Sequence, residues 1–176
     1  MLEENENAIK DAIKKDLGRD AGNEFSLAME EIDTLLKHFQ EWGAPKKVKK
    51  PADLESDDEL VIKPEPLGVV LVISPWNFPL HTSMPCASAL AGGNTVILKL
   101  SEISPTFSST FASLVAKYFN NKLFAAVEGE VKEVKALLDE KFDHIMYTGN
   151  PTIAREIMAA AAKNLTPVTL ELGGKK

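Results

Sequence analysis

The sequence contains a single cysteine, Cys86, among 176 residues, so no internal disulfide can form. A lone free thiol fits a reducing compartment. Histidine is scarce as well. His38, His81 and His144 are scattered and lack the spacing of a metal-ligand set, so no metal site is expected. Positive charge is also short. Lys and Arg total 20 against 26 Asp and Glu, a net charge of -6, which argues against a nucleic-acid-binding role. No apolar run approaches the roughly 20 residues that span a bilayer. The N-terminus, "MLEENENAIK", is acidic and has no apolar core of a signal peptide, so the expected location is cytoplasmic.

What is present suits a globular domain: 44% hydrophobic and 26% charged residues, in a chain long enough to build a real core. The first stretch reads as a helix, with Ile9, Ile13 and Leu17 four residues apart and Gly18 as a stop. A second helix carries Phe25, Ala28, Met29, Ile32, Leu35, Leu36, Phe39 and Trp42 on one stripe, expected to pack on a neighbouring layer. Gly43 and Pro45 end it. "PKKVKKP" then reads as a solvated connector, although such a run also suits an import signal or an acidic surface.

From about residue 60 the pattern changes. "LGVVLVIS", "NTVILKL", "LFAAVEG", "DHIMYTG" and "TPVTLEL" are short apolar runs of the kind expected of strands buried on both faces. Between them lie helical stretches. "TSMPCASALAGG" closes on glycine, and residues 105–119 place Phe107, Phe111, Leu114, Val115 and Tyr118 on one face. "EVKEVKALLDEKF" turns Val131, Val134, Leu137 and Leu138 inward, and "NPTIAREIMAAAAKN" has Asn150 as cap and Pro151 in its first turn. Strands alternating with helices specify a parallel sheet with right-handed crossovers. The expected fold is a doubly wound, Rossmann-type α/β domain of about five strands with flanking helices, preceded by N-terminal helices.

In such sheets ligands sit outside the carboxyl ends of the strands. Four unusual features fall there. "SPWNFP" places Asn77 between Trp76 and Phe78, with prolines on either side. The residue suits a plain turn, and equally a rigid amide donor for an oxyanion in a dry place. "KLSE" offers Lys99 and Glu102, either rim charges or a reader of ribose hydroxyls. "TGNPTIAR" starts a helix whose free N–H groups could cradle phosphate. Glu171 lies in an apolar run before Gly173 and Gly174. Enclosed there, its carboxyl would be raised toward general-base values, whereas at an edge it would simply face water. Cys86 lies among small apolar residues and reads as a small hydrophobe rather than a nucleophile.

The stretches "EPLGVVLVISPWNFPL", "AGGNTVILKLSE", "FDHIMYTG" and "LTPVTLELGGK" together resemble the NAD(P)-dependent aldehyde dehydrogenases, over essentially the whole chain. The last two are most similar to the class 3 branch, which includes fatty aldehyde dehydrogenases. The resemblance implies a cysteine thiolate that attacks an aldehyde, with the oxyanion held by Asn77. It implies hydride transfer to NAD, with NADP also admitted, and thioester hydrolysis with Glu171 as general base. Trp76, Lys99, Glu102, Gly149 and Asn150 then contact the cofactor, with Lys99 and Glu102 on the adenosine ribose. Glu102 leans toward NAD by repelling a 2′-phosphate.

The chain also departs from the family pattern. The nucleophilic cysteine lies beyond "ELGG", outside these residues, and Cys86 does not occupy its position. Family members are more than twice as long. Leu100 stands where proline is common in the family. Ala154 replaces a glycine, and its methyl is expected to weaken cofactor approach. The implied organisation is an N-terminal helical segment and linker over 1–60 and a partial NAD-binding domain over 61–176. The catalytic and oligomerisation parts would be missing, and the chain would be inactive alone. The implied partner is a small-molecule aldehyde, with no nucleic acid and no metal. A second reading stays open, in which the chain is a non-enzymatic nucleotide-binding or interaction module that docks as a homo- or hetero-oligomer on full-length subunits.

Overall fold

The computed structural model describes residues 1–52 and 57–174. Two helices open the chain: α1 (Glu6–Leu17), closed by Gly18 in the left-handed conformation (φ 67°), and α2 (Gly22–Trp42). The lysine-rich connector does more than link. Lys46–Lys47 (β1) pairs antiparallel with Val61–Ile62 (β2) in a small exposed ribbon, where Lys47 and Glu59 form an ion pair. The boundary expected near residue 60 falls inside this ribbon.

Five parallel strands follow: β3 (Val69–Ile73), β4 (Thr95–Lys99), β5 (Phe124–Val127), β6 (His144–Gly149) and β7 (Val168–Leu172). Their connections are α3 (Pro85–Ala91), α4 (Pro105–Tyr118), α5 (Val131–Asp139) and α6 (Pro151–Ala162). The spatial order is β5-β4-β3-β6-β7, the doubly wound arrangement expected from the alternating pattern. Strand order reverses between β3 and β6.

Strand alternation divides the core in two. Val70, Val72, Val96 and Leu98 face the side of α1–α4, where Ile13, Ala28, Phe107 and Phe111 complete one cluster. Leu71, Ile73, Ile145 and Tyr147 face α5 and α6, against Ala154 and Ile157. The N-terminal helices therefore share a core with the sheet.

Two packing expectations need correction. The apolar stripe of α2 buries only its first half. Phe25 and Ala28 are enclosed, but Leu36, Phe39 and Trp42 are exposed. A helix of 21 residues extends about 30 Å, beyond the seven-residue α3 against which it packs, and at its far end Phe39 and Trp42 only rim an open cavity shared with Leu67 and Gly92. Val131 is also exposed, because it occupies the first position of α5, ahead of the turn that reaches the sheet. That helix start is instead held by a capping box between Glu130 and Glu133.

A shared core predicts shared unfolding. Ile13 on α1 is fully buried, and Ile13→Ala should cost about 2–5 kcal/mol. Circular dichroism and tryptophan fluorescence should then report one coincident transition at lower urea. Two separated transitions would mean that α1 unfolds independently of the sheet.

Candidate active site

The strand ends are brought level by register. Ile73, the last residue of β3, pairs with Lys99 on one side and Tyr147 on the other. Beyond this row, where the strand order reverses, a cavity of about 860 Å³ opens. Residues from five separate chain segments line it: Trp76 and Asn77 after β3, Lys99 at the end of β4 with Glu102 just beyond, Val134 on α5, Gly149 and Asn150 at the end of β6, and Glu171 on β7. Every residue singled out from the sequence for the site is among them.

Lys99 is 2% exposed, although it carries a charge. Its ammonium donates to the Leu100 carbonyl and lies 3.9 Å from Glu102 Oε2. Burial lowers its pKa below the usual lysine value, and the negative charges of Glu102 and Glu133 oppose that shift. Glu102 is half-exposed at the rim. The pair therefore presents one cation and one acceptor side by side, a donor-acceptor set suited to the vicinal hydroxyls of a ribose.

Asn77 departs from expectation. It is exposed, and Trp76 and Phe78 are 45% and 49% exposed, so the loop is not dry in this chain. Its carboxamide makes no hydrogen bond among the described residues and is free to donate. Glu171 is likewise exposed. Val168 and Leu170 pack on the second core, so alternation turns Glu171 to the other face of the outermost strand, opposite Thr148. The apolar enclosure expected around its carboxylate is absent, because no element among the described residues lies beyond β7.

The helix start after β6 also differs from the reading of open N–H groups. The Asn150 side chain accepts from Thr152 N and Ile153 N, both at 3.0 Å, Pro151 has no N–H, and Ala154 N donates to the Asn150 carbonyl. The cap that makes the helix start so legible thus occupies the donors a phosphate would use. Ala154 is corrected too. Its methyl is buried in the second core, at a helix–sheet contact rather than on a ligand path.

Tyr147 was not anticipated. Its hydroxyl accepts from Asn150 N at 3.0 Å, folding the turn back over the end of β6. A Cβ on Gly149 would lie 2.2 Å from that hydroxyl, so the turn demands glycine. The signal in the sequence was a buried-strand tyrosine two residues before the glycine. Tyrosine, unlike phenylalanine, needs a partner for its hydroxyl. Cys86 lies outside the cavity, buried on α3, where desolvation pushes its thiol pKa strongly upward.

The sequence profile described as "Aldehyde dehydrogenase family" matches residues 1–176. The chain belongs to the aldehyde dehydrogenase family. Among curated aldehyde dehydrogenases, it is 46% identical over 180 residues to the rat "Aldehyde dehydrogenase, dimeric NADP-preferring", covering 99% of this chain and 40% of that protein. It is 44% identical to "Aldehyde dehydrogenase family 3 member A2" of Pongo abelii, covering 99% and 37%. Both likenesses agree with the class 3 resemblance. Among solved structures, the substrate-bound AldH of Staphylococcus aureus superposes with a TM-score of 0.95 at 31% identity, over 99% of this chain and 39% of that one. A succinic semialdehyde dehydrogenase of Streptococcus pyogenes, solved with NADP+, shares the fold with a TM-score of 0.86 at 24% identity, over 98% and 38%. The chain thus spans about two fifths of the aldehyde dehydrogenases it matches.

The buried Lys99 makes a signed prediction. A lysine whose folded pKa lies below 10.5 costs stability while it is charged, and that cost fades as pH rises toward the unfolded value. Lys99→Met should therefore raise the urea midpoint near pH 7, and the gain should shrink as pH rises from there toward 10.5. A gain that is constant across this range would show that charge burial is not its origin.

Proposed function

We propose that this chain forms the nucleotide-binding part of an NAD(P)+-dependent aldehyde dehydrogenase, which oxidises an aldehyde to a carboxylic acid through a cysteine thioester. The observation that carries the reading is the convergence of Asn77, Lys99, Glu102, Gly149 and Glu171 on one cavity at the point where strand order reverses. The cavity fits a dinucleotide at its ribose end, where the buried Lys99 ammonium sits beside the Glu102 carboxylate. It fits less well at the pyrophosphate, because the Asn150 cap must turn aside before Thr152 and Ile153 can donate.

Bound NAD(P)+ supplies a hydride acceptor. The chain's own residues supply the oxyanion donor, the general base and the ribose contacts. The free Asn77 carboxamide donates to the oxyanion formed when a thiolate adds to the aldehyde carbonyl. Glu171 takes the proton of the water that hydrolyses the thioester. Lys99 and Glu102 would hold the cofactor's ribose. The thiolate itself comes from protein outside these residues, since Cys86 is buried away from the cavity and its raised pKa keeps it a thiol.

Both cofactors are taken as ligands. Glu102 disfavours a 2′-phosphate, yet the rat relative is described as NADP-preferring. An aliphatic, fatty-type aldehyde and a cytoplasmic location complete the reading, the latter in keeping with one free thiol.

Calorimetric titration of the purified chain tests the proposal. NAD+ and NADP+ should both bind, and Lys99→Ala should weaken binding by roughly tenfold, about the worth of one hydrogen bond to a charged group. A medium-chain aldehyde should yield no reduced cofactor. Absence of binding at millimolar cofactor would overturn the proposal, and turnover abolished by Cys86→Ser would overturn the assignment of Cys86.

A further inference from the structure

Asn77 sits in a loop with no regular structure of its own, between β3 and the short 3-10 turn at His81–Ser83. Trp76, Asn77 and Phe78 are all exposed. An oxyanion donor must be fixed in place before the reaction, because a mobile amide would lose most of its value. Something other than burial has to hold this loop.

One side is held by hydroxyls. Thr82 Oγ1 donates to the Phe78 carbonyl at 2.8 Å and lies 2.6 Å from Ser74 Oγ, while the buried Ser83 hydroxyl donates to the Pro79 carbonyl at 2.7 Å. These bonds are local to the loop. The other side is held from the N-terminal helices by one ion pair.

Glu24, in the first turn of α2, is 3% exposed. Its Oε1 accepts from Leu80 N at 2.8 Å and from His81 N at 3.1 Å. Its Oε2 is paired with Arg19 Nη2. The same Arg19 nitrogen donates to the Asn77 carbonyl at 3.0 Å, and the guanidinium lies 4.7 Å from the Phe78 ring centroid. Arg19 is itself set by the left-handed Gly18 turn and by Nη1, which donates to the Asp20 carbonyl at 3.2 Å.

A buried carboxylate is costly unless its lone pairs are satisfied. Here three donors satisfy it, and two of them are backbone groups of the Asn77 loop. A salt bridge serving only to join α2 to the sheet would not need a guanidinium N–H on the Asn77 carbonyl. Asn77, Phe78, Leu80 and His81 all converge on this one pair.

We infer that Arg19 and Glu24 are positioning residues that fix the Asn77 amide for its oxyanion, acting through the backbone of residues 77–81. This rests on the reading of Asn77 given above. Arg19 sets the Asn77 peptide, and Glu24 anchors the loop's return at Leu80 and His81.

The test uses the ¹⁵N-labelled 176-residue chain without cofactor, so its outcome is independent of the titration that tests the functional reading. Amide exchange at Leu80 and His81, backbone order at Asn77, the Asn77 side-chain amide signals and the thermal midpoint are recorded for three variants. Arg19→Lys keeps the charge opposite Glu24 but loses the guanidinium nitrogen shared between Glu24 and the Asn77 carbonyl. Leu80 and His81 should stay protected and the midpoint should stay near wild type, while Asn77 loses order and its side-chain signals shift. Glu24→Gln keeps an acceptor for Leu80 and His81 and should disorder Asn77 in the same way. Glu24→Ala should also speed exchange at Leu80 and His81 by roughly tenfold or more, the loss of hydrogen bonds to a charged acceptor. Unchanged Asn77 order and side-chain signals in both Arg19→Lys and Glu24→Gln would overturn the inference, and these two conservative variants carry the test if Glu24→Ala does not fold.

Discussion

The arrangement depends on β3 pairing along both of its edges. Val70, Leu71 and Val72 are buried on both faces of the sheet, and their strand is the one from which the chain winds outward in both directions. Because β4 and β6 flank it in matching register, Lys99, Ile73 and Tyr147 end in one row. The loops that follow must diverge, since α3 returns along one face and α6 along the other, and the gap between them is the cavity. Nothing else in the described residues would bring Asn77, Lys99 and Gly149 together, for they lie far apart in sequence. The hydrophobic burial of the central strands thus creates a polar site at their carboxyl ends.

That site is not arranged for stability. Lys99 is held against desolvation, Gly149 is required because Tyr147 folds over it, and Glu24 keeps a carboxylate inside the protein. An apolar residue of similar shape in place of Lys99 would spare the fold the cost of a buried charge. The common property of all three residues is that they act on the strand-end cavity or on a loop that enters it. The Asn150 cap illustrates the tension: the hydrogen bonds that stabilise α6 take up the donors a phosphate would meet.

Much of this was legible in the sequence. The five apolar runs, the intervening helices and the capping of α6 by Asn150 followed from periodicity and turn chemistry, and the polar residues at strand ends marked the cavity. What was not legible depends on where elements stop relative to one another. Periodicity places Phe39 and Trp42 on the same stripe as Phe25, but it cannot show that they only rim an open cavity beside the end of α3. An apolar neighbourhood in sequence suggested a buried Glu171, yet β7 lies at the outer edge of the sheet and its second face is open. Glu24 was a missed signal. It lies four residues before Ala28, squarely on the apolar stripe, and a charge in that position needs a buried partner. Its partners, Arg19 and the peptides of Leu80 and His81, could not be paired with it from spacing alone.

The central claim is that the cavity at the strand-order reversal is where the dinucleotide binds. Mapping backbone amide shifts of the labelled chain during addition of NAD+ tests it most directly. The account predicts that the perturbed amides cluster at residues 74–77, 99–102 and 147–150, at the ends of three neighbouring strands. Perturbations concentrated instead around the apolar groove between α2 and α4, lined by Met29, Met84 and Phe111, would contradict it.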